Sequence, residues 1–197
     1  MPPDSFLVSG YKNMKRRSLL QAALATASAI LLSGHSPYRQ WSALKATHWL
    51  IGAARDDAEA SRLADAASAL LAARVPQSQA MHVEADNDRE VVQLLRTRQL
   101  ELAIMSIDAA NDALSGNAGS ARDSPIPLRT VAPFGPHLLV AFEDYSTDKA
   151  ARIAAALAGF RWRDGSAPTR RSGPQSIVPL HAGAIRFKHA RDIYESQ

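Results

Sequence analysis

Hydrophobic positions change their period several times along this chain, and each change marks an element. The first block is an uncharged apolar run from Leu19 to Leu32, preceded by Lys15, Arg16 and Arg17 with only Ser18 between. A mixed stretch, His35 to Thr47, follows and reads as a linker. His48-Trp49-Leu50-Ile51-Gly52-Ala53 is then continuous enough for a short buried strand. The pattern next switches to helical spacing: Leu63, Ala66, Ala67, Leu70 and Leu71 recur every three or four residues and share one face. Asp56 or Asp57 is placed to cap this helix, and Pro76 closes it.

The cycle repeats. Ala80 to Ala85 reads as a second strand. Asn87 with Glu90 forms a capping-box pattern ahead of Val91, Val92, Leu94 and Leu95. Glu101 to Met105 is a third strand, followed by a short helix from Ile107 to about Leu114 that stops at Gly116. Residues 117–127 have loop composition. Leu128–Ala132 and His137–Phe142 are dense in apolar residues, as strands are, and Pro133-Phe134-Gly135-Pro136 separates them. Thr147 is placed to cap one more helix, Asp148–Leu157. Residues 162–175 carry little periodicity, and Val178 to Phe187 leads into a polar tail.

Strand, helix, strand, helix, strand predicts an α/β fold: a three-layer sandwich with a mostly parallel sheet and helices on both faces. The predicted organisation is a leader at 1–34, a linker at 35–47, one α/β domain at 48–190 and a tail at 191–197. In such sheets ligands sit beyond the carboxyl ends of the strands, which here are Gly52 to Asp56, Glu84 to Asp88 and Ser106 to Asp108.

The charge pattern gives the first block its meaning. Cations followed by a short apolar run are the signature of an export signal. The Arg16-Arg17-Ser18-Leu19-Leu20 order also resembles a twin-arginine address, which is read by a receptor that passes folded proteins. The run is shorter than the roughly 20 apolar residues of a comfortable transmembrane helix. Met14 opens this unit as an alternative start. His35 stands where a lipoprotein signal would place cysteine, so lipidation is excluded. The expectation is a periplasmic protein, its segment 19–32 either cleaved or kept as an inner-membrane anchor.

Composition narrows the chemistry. The chain has 197 residues, no cysteine and a formal charge of +4. Four cations against Asp4 put +3 of that charge in the first 34 residues and leave +1 for the rest. A near-neutral body argues against nucleic acid as a partner; the one basic cluster, Arg161, Arg163, Arg170 and Arg171, sits among Gly, Ser and Pro. Disulfides and thiolate sites are excluded. The six histidines show no metal-ligand spacing, and no serine lies in a G-x-S-x-G elbow. No catalytic residue, metal or cofactor is expected.

Two segments carry a family resemblance. Glu101-Leu102-Ala103-Ile104-Met105-Ser106-Ile107-Asp108-Ala109-Ala110 and Pro179-Leu180-His181-Ala182-Gly183-Ala184-Ile185-Arg186-Phe187, with the intervening strands, resemble the receptors of TAXI-type TRAP transporters. These belong to the type II periplasmic solute-binding proteins. The resemblance implies a single lobe of that fold, a small solute with a carboxylate among the candidates, and a membrane transporter or envelope protein as partner. It points to Gly52, Arg55, Asn87, Ser106 and Asp108 as ligand-binding residues, and His137, the one histidine near a predicted sheet end, completes the candidate set.

The chain departs from the family in three places. Its first loop has one glycine, Gly52. Its second, Asp86-Asn87-Asp88, is acidic. Glu143, Asp144 and Tyr145 stand where the family inserts a whole second lobe. A lone lobe cannot close a hinge around its solute, so a half-site gives little burial to offset the entropy of association. Two copies facing each other would restore a two-sided cleft, which makes a homodimer the associated expectation. The alternative is a non-binding envelope scaffold derived from a receptor lobe.

Overall fold

The computed structural model describes residues 44–118, 124–161 and 176–195, with side chains as far as His189. The chain divides into two units, 1–43 and 44–197. The expected export segment and most of the expected linker fall in the first and lie outside the described residues, as do 162–175. Among the described residues no helix is long and apolar enough to cross a membrane.

The second unit has five strands and five principal helices in the described residues, in the order β1 (Leu50–Ala54), α1 (Ala58–Arg74), β2 (Met81–Ala85), α2 (Asp88–Arg96), β3 (Leu102–Ser106), α3 (Ile107–Ser115), β4 (Leu128–Phe134), β5 (His137–Phe142), α4 (Thr147–Leu157) and α5 (Ala182–Glu195). The sheet order is β2-β1-β3-β5-β4. β1 pairs in parallel with β2 and β3, whereas β5 is antiparallel to both β3 and β4. Four strands therefore point one way and β5 alone points back. This is the α/β sandwich expected from the sequence pattern.

Crossover handedness explains the layers. The chain steps from β1 outward to β2, then back past β1 to β3. Two right-handed crossovers in opposite directions must place their helices on opposite faces. α1 covers one face, joined by α4 and α5, while α2 and α3 cover the other. Alternation along the strands matches: Ile51, Ala53, Leu102, Ile104, Leu139 and Ala141 join α1 and α4 in one core cluster. On the opposite face Gly52 is buried beneath Leu100, whose Cδ1 lies 2.3 Å from where a Cβ on Gly52 would stand.

The caps follow local chemistry. Asp57 Oδ1 accepts the N–H groups of Glu59 and Ala60, at 3.1 and 2.9 Å. Asn87 Oδ1 accepts Glu90 N–H at 3.0 Å, and Glu90 returns the bond to Asp86 N–H at 2.6 Å, one residue before the cap. Ser146, not Thr147, caps α4; either hydroxyl is competent, and the helix begins one residue earlier than the sequence pattern suggested. β4 runs through Pro133 to Phe134. It is an edge strand, where proline's missing N–H leaves no ladder bond unmade. Gly135, at φ 67°, opens a two-residue turn closed by Pro136.

The C-terminal segment is anchored more firmly than its polar composition suggested. Leu180 bridges Thr130 in parallel, and α5 continues to Glu195, through most of the stretch read as a tail. His181 is buried; its Nδ1 accepts Gly183 N–H at 3.1 Å and its ring meets Tyr145 edge-on.

Candidate functional site

The carboxyl ends of β1, β2 and β3 meet the start of the antiparallel β5, and this crest holds most of the expected site residues. The chain reverses its direction of travel across the sheet at β1, so the crest lies at a topological switch point.

A histidine–carboxylate pair is built here from opposite ends of the unit. His137 is the first residue of β5, and only 6% of its side chain is exposed. Its Nε2 lies 2.8 Å from Asp57 Oδ2, so a proton on Nε2 donates to the carboxylate. Asp57 thus serves two purposes, one oxygen capping α1 and the other holding the imidazole. Partial burial acts to raise the Asp57 carboxyl, but the Ala60 N–H and the His137 ring outweigh it, and the group sits below its ordinary value. Ser106 is the register partner of His137 across β3 and β5, which puts the two side chains on one face of the sheet.

Asp88 completes the crest from the first turn of α2. Burial, followed by the charges of Asp57 and Asp56, raises its carboxyl above the usual range, and His137 acts against them. Two buried polar atoms have no hydrogen-bond partner here: His137 Nδ1 and Asp88 Oδ1. Each leaves about 1–3 kcal/mol of desolvation unreturned until something meets it.

The six residues chosen from sequence divide sharply. Gly52 lies inside β1 and serves packing. Arg55 is 61% exposed and already held by Glu84 at 3.1 Å and Asp86 at 3.2 Å. Asn87 and Ser106 are helix caps, with Ser106 Oγ accepting Ala109 N–H at 3.1 Å. Asp108 is exposed in the first turn of α3. His137 is buried at the crest and joined to Asp57. Sequence reading put Asp57 forward only as a cap and Asp88 only as part of an acidic loop. No local signal could have paired Asp57 with His137, which lies 80 residues away.

Arg98 was missed altogether. It follows α2 in the left-handed region at φ 57°. Its guanidinium stacks 3.6 Å over the Phe142 ring and grips both oxygens of Asp144, at 2.8 and 3.1 Å. This pair lies at the opposite end of the sheet and ties α2 to the β5–α4 turn.

Chemically, the crest offers hydrogen-bond acceptors, one imidazole and the positive dipole end of α3, where the Ile107 N–H already donates to Pro136 O at 2.9 Å and the Ala109 N–H to Ser106 Oγ. Among the described residues no three of His, Asp and Glu are placed to hold a metal ion. No family model matches the chain, and no curated protein matches it.

Proposed function

We propose that this chain is an exported, one-lobed solute-binding module that works beside a membrane transporter or another envelope protein, and that it binds rather than catalyses. The observation carrying the reading is the pair of unpartnered buried atoms at the switch point, His137 Nδ1 and Asp88 Oδ1. A solute supplying a donor to Asp88 and a hydrogen-bonding group to His137 satisfies both. The resemblance implies a small solute with a carboxylate as one candidate, but Asp56, Asp57 and Asp88 would repel a simple anion. The charges favour a zwitterion, with an ammonium toward Asp88 and a carboxylate toward the positive dipole end at the start of α3.

A thermal-shift screen tests this with free amino acids, their N-acetyl derivatives and simple amines. Free amino acids should raise Tm, N-acetylation should abolish the effect, and Asp88→Asn should remove it while leaving the fold intact by circular dichroism. No shift with any compound would sink the reading.

The alternative, an envelope interaction module without a solute, is favoured by the occupied state of Arg55, Asn87 and Ser106. Under it, Arg55→Ala leaves every ligand response unchanged because there is none. Light scattering with and without amino acids tests the dimer that would rebuild a cleft; a ligand-indifferent monomer removes that idea.

A further inference from the structure

We propose that a second site, separate from the crest, binds a free single-chain aliphatic carboxylate in the groove between the outer edge of β4 and helices α4 and α5. The proposal does not depend on the crest reading, because no residue is shared between the two.

The groove has a volume of about 640 Å³, within the usual range for small-molecule sites. Its apolar lining includes Val131, Phe134, Leu157, Leu180 and Phe187. One wall is stiffened by the edge-to-face contact of Phe134 with Phe160, ring centroids 5.3 Å apart. Leu180, one of the large hydrophobic residues left exposed among those described, remains 44% exposed in its lining. Exposed apolar surface within a groove marks a site of binding.

Charge selects the head group. Arg161 and Lys188 are the ionisable residues among the described lining, and no described lining residue is a carboxylate. An anion is therefore matched and a cation is not.

Backbone chemistry selects an alkyl chain over a peptide strand. Thr130 has already spent its edge groups, donating to Pro179 O at 2.7 Å and accepting from His181 N–H at 2.8 Å. Beyond it the ladder is broken by the irregularity between Thr130 and Ala132, and Pro133 has no N–H. An extended peptide finds no ladder to join. An alkyl chain needs none.

Calorimetry on the full chain with octanoate, decanoate and dodecanoate, each below its micelle-forming concentration, tests the proposal, with dodecyltrimethylammonium as the cation of matched length. Saturable binding should tighten by up to about fourfold per added methylene. Lys188→Glu should weaken dodecanoate about fivefold to tenfold, Lys188→Arg should retain it, and Leu180→Asp should abolish it. Lys149→Glu, remote from the groove, should change nothing. Circular dichroism establishes that each variant is folded. The proposal is overturned if dodecyltrimethylammonium binds as tightly as dodecanoate, if Lys188→Glu has no effect, or if no carboxylate gives saturable heat. Because the crest site is read with amino acids and Asp88→Asn, failure of one site is distinguishable from failure of the other.

Discussion

Adding one methyl group at Gly183 tests how α5 is held to the sheet. A Cβ there would stand 2.3 Å from Thr147 O, 2.6 Å from Ala151 N and 2.8 Å from Ala150 Cβ. Ordinary contact begins near 3.4 Å, so α5 must retreat by about 1 Å. Two of these neighbours are backbone atoms of α4 and cannot swing aside. Overpacking of this kind costs about 1–3 kcal/mol. Replacing a helical glycine returns at most about 1 kcal/mol, and less in a first turn, where Gly183 lies. Gly183→Ala should therefore destabilise by about 1–2 kcal/mol, a fall in Tm of about 2–8 °C for a unit of this size. Urea unfolding followed by circular dichroism should show a lower midpoint at unchanged slope. Gly159 is the control: at φ 69° with no atom within 4 Å of a Cβ, Gly159→Ala carries backbone strain but no collision. A Gly183→Ala protein as stable as wild type, or more so, would refute the close-packing argument.

Three further outcomes are expected. Burial holds the His181 ring below its ordinary value of 6.5, so folding favours the neutral form; this stability is present above pH 6.5 and lost as pH falls toward the lower folded value. His181→Phe should flatten the fall of the urea midpoint as pH drops below 6.5, and an unchanged slope there would count against it. Asn87→Ala should cost about 1 kcal/mol through its cap, with Asn87→Asp restoring most of it. For export, Arg16→Lys with Arg17→Lys should retain the protein in the cytoplasm on cell fractionation; normal export of that variant would exclude the twin-arginine route.

What the sequence disclosed was local. Spacing alone placed Leu63, Leu70 and Leu71 on one helix, and the Asn87–Glu90 box located the start of α2. The carboxyl ends of the first three strands, read as the place for a ligand, are where the crest lies. The order of the sheet was not disclosed, because β5 inserts between β3 and β4 through pairings that leave no mark on the chain's period. Nor was the role of His137: its partner is a helix cap far away in sequence, and one residue of register decides which face it takes. The helix α5 was hidden for a related reason. Its residues carry little apolar periodicity, and Gly183 at its start reads as a breaker until α4 is seen pressed against it. Arg98 defies local preference outright, holding a left-handed backbone conformation that its bonds to Asp144 and Phe142 help to offset.

The crest itself poses a question of stability against function that one residue can decide. Asp88 is half-buried, its Oδ1 has no partner, and its raised carboxyl means that folding opposes its ionised form. The sign follows: its unfavourable contribution is absent below the ordinary value of 3.8 and grows as pH rises through the higher folded value. A group kept only for the fold would be an odd choice here, since alanine removes the orphaned acceptor and the repulsion from Asp56 and Asp57, and loses only the modest attraction of an acid for a helix start. Asp88→Ala should therefore match or exceed wild-type stability at pH 7, and that advantage should shrink as pH falls from the raised folded value toward 3.8 and be absent below it. Coupled with loss of any amino-acid-induced shift, the result would identify Asp88 as retained for what it binds. If Asp88→Ala is instead clearly less stable at pH 7, the carboxylate is structural and the crest has no vacant acceptor to offer a solute.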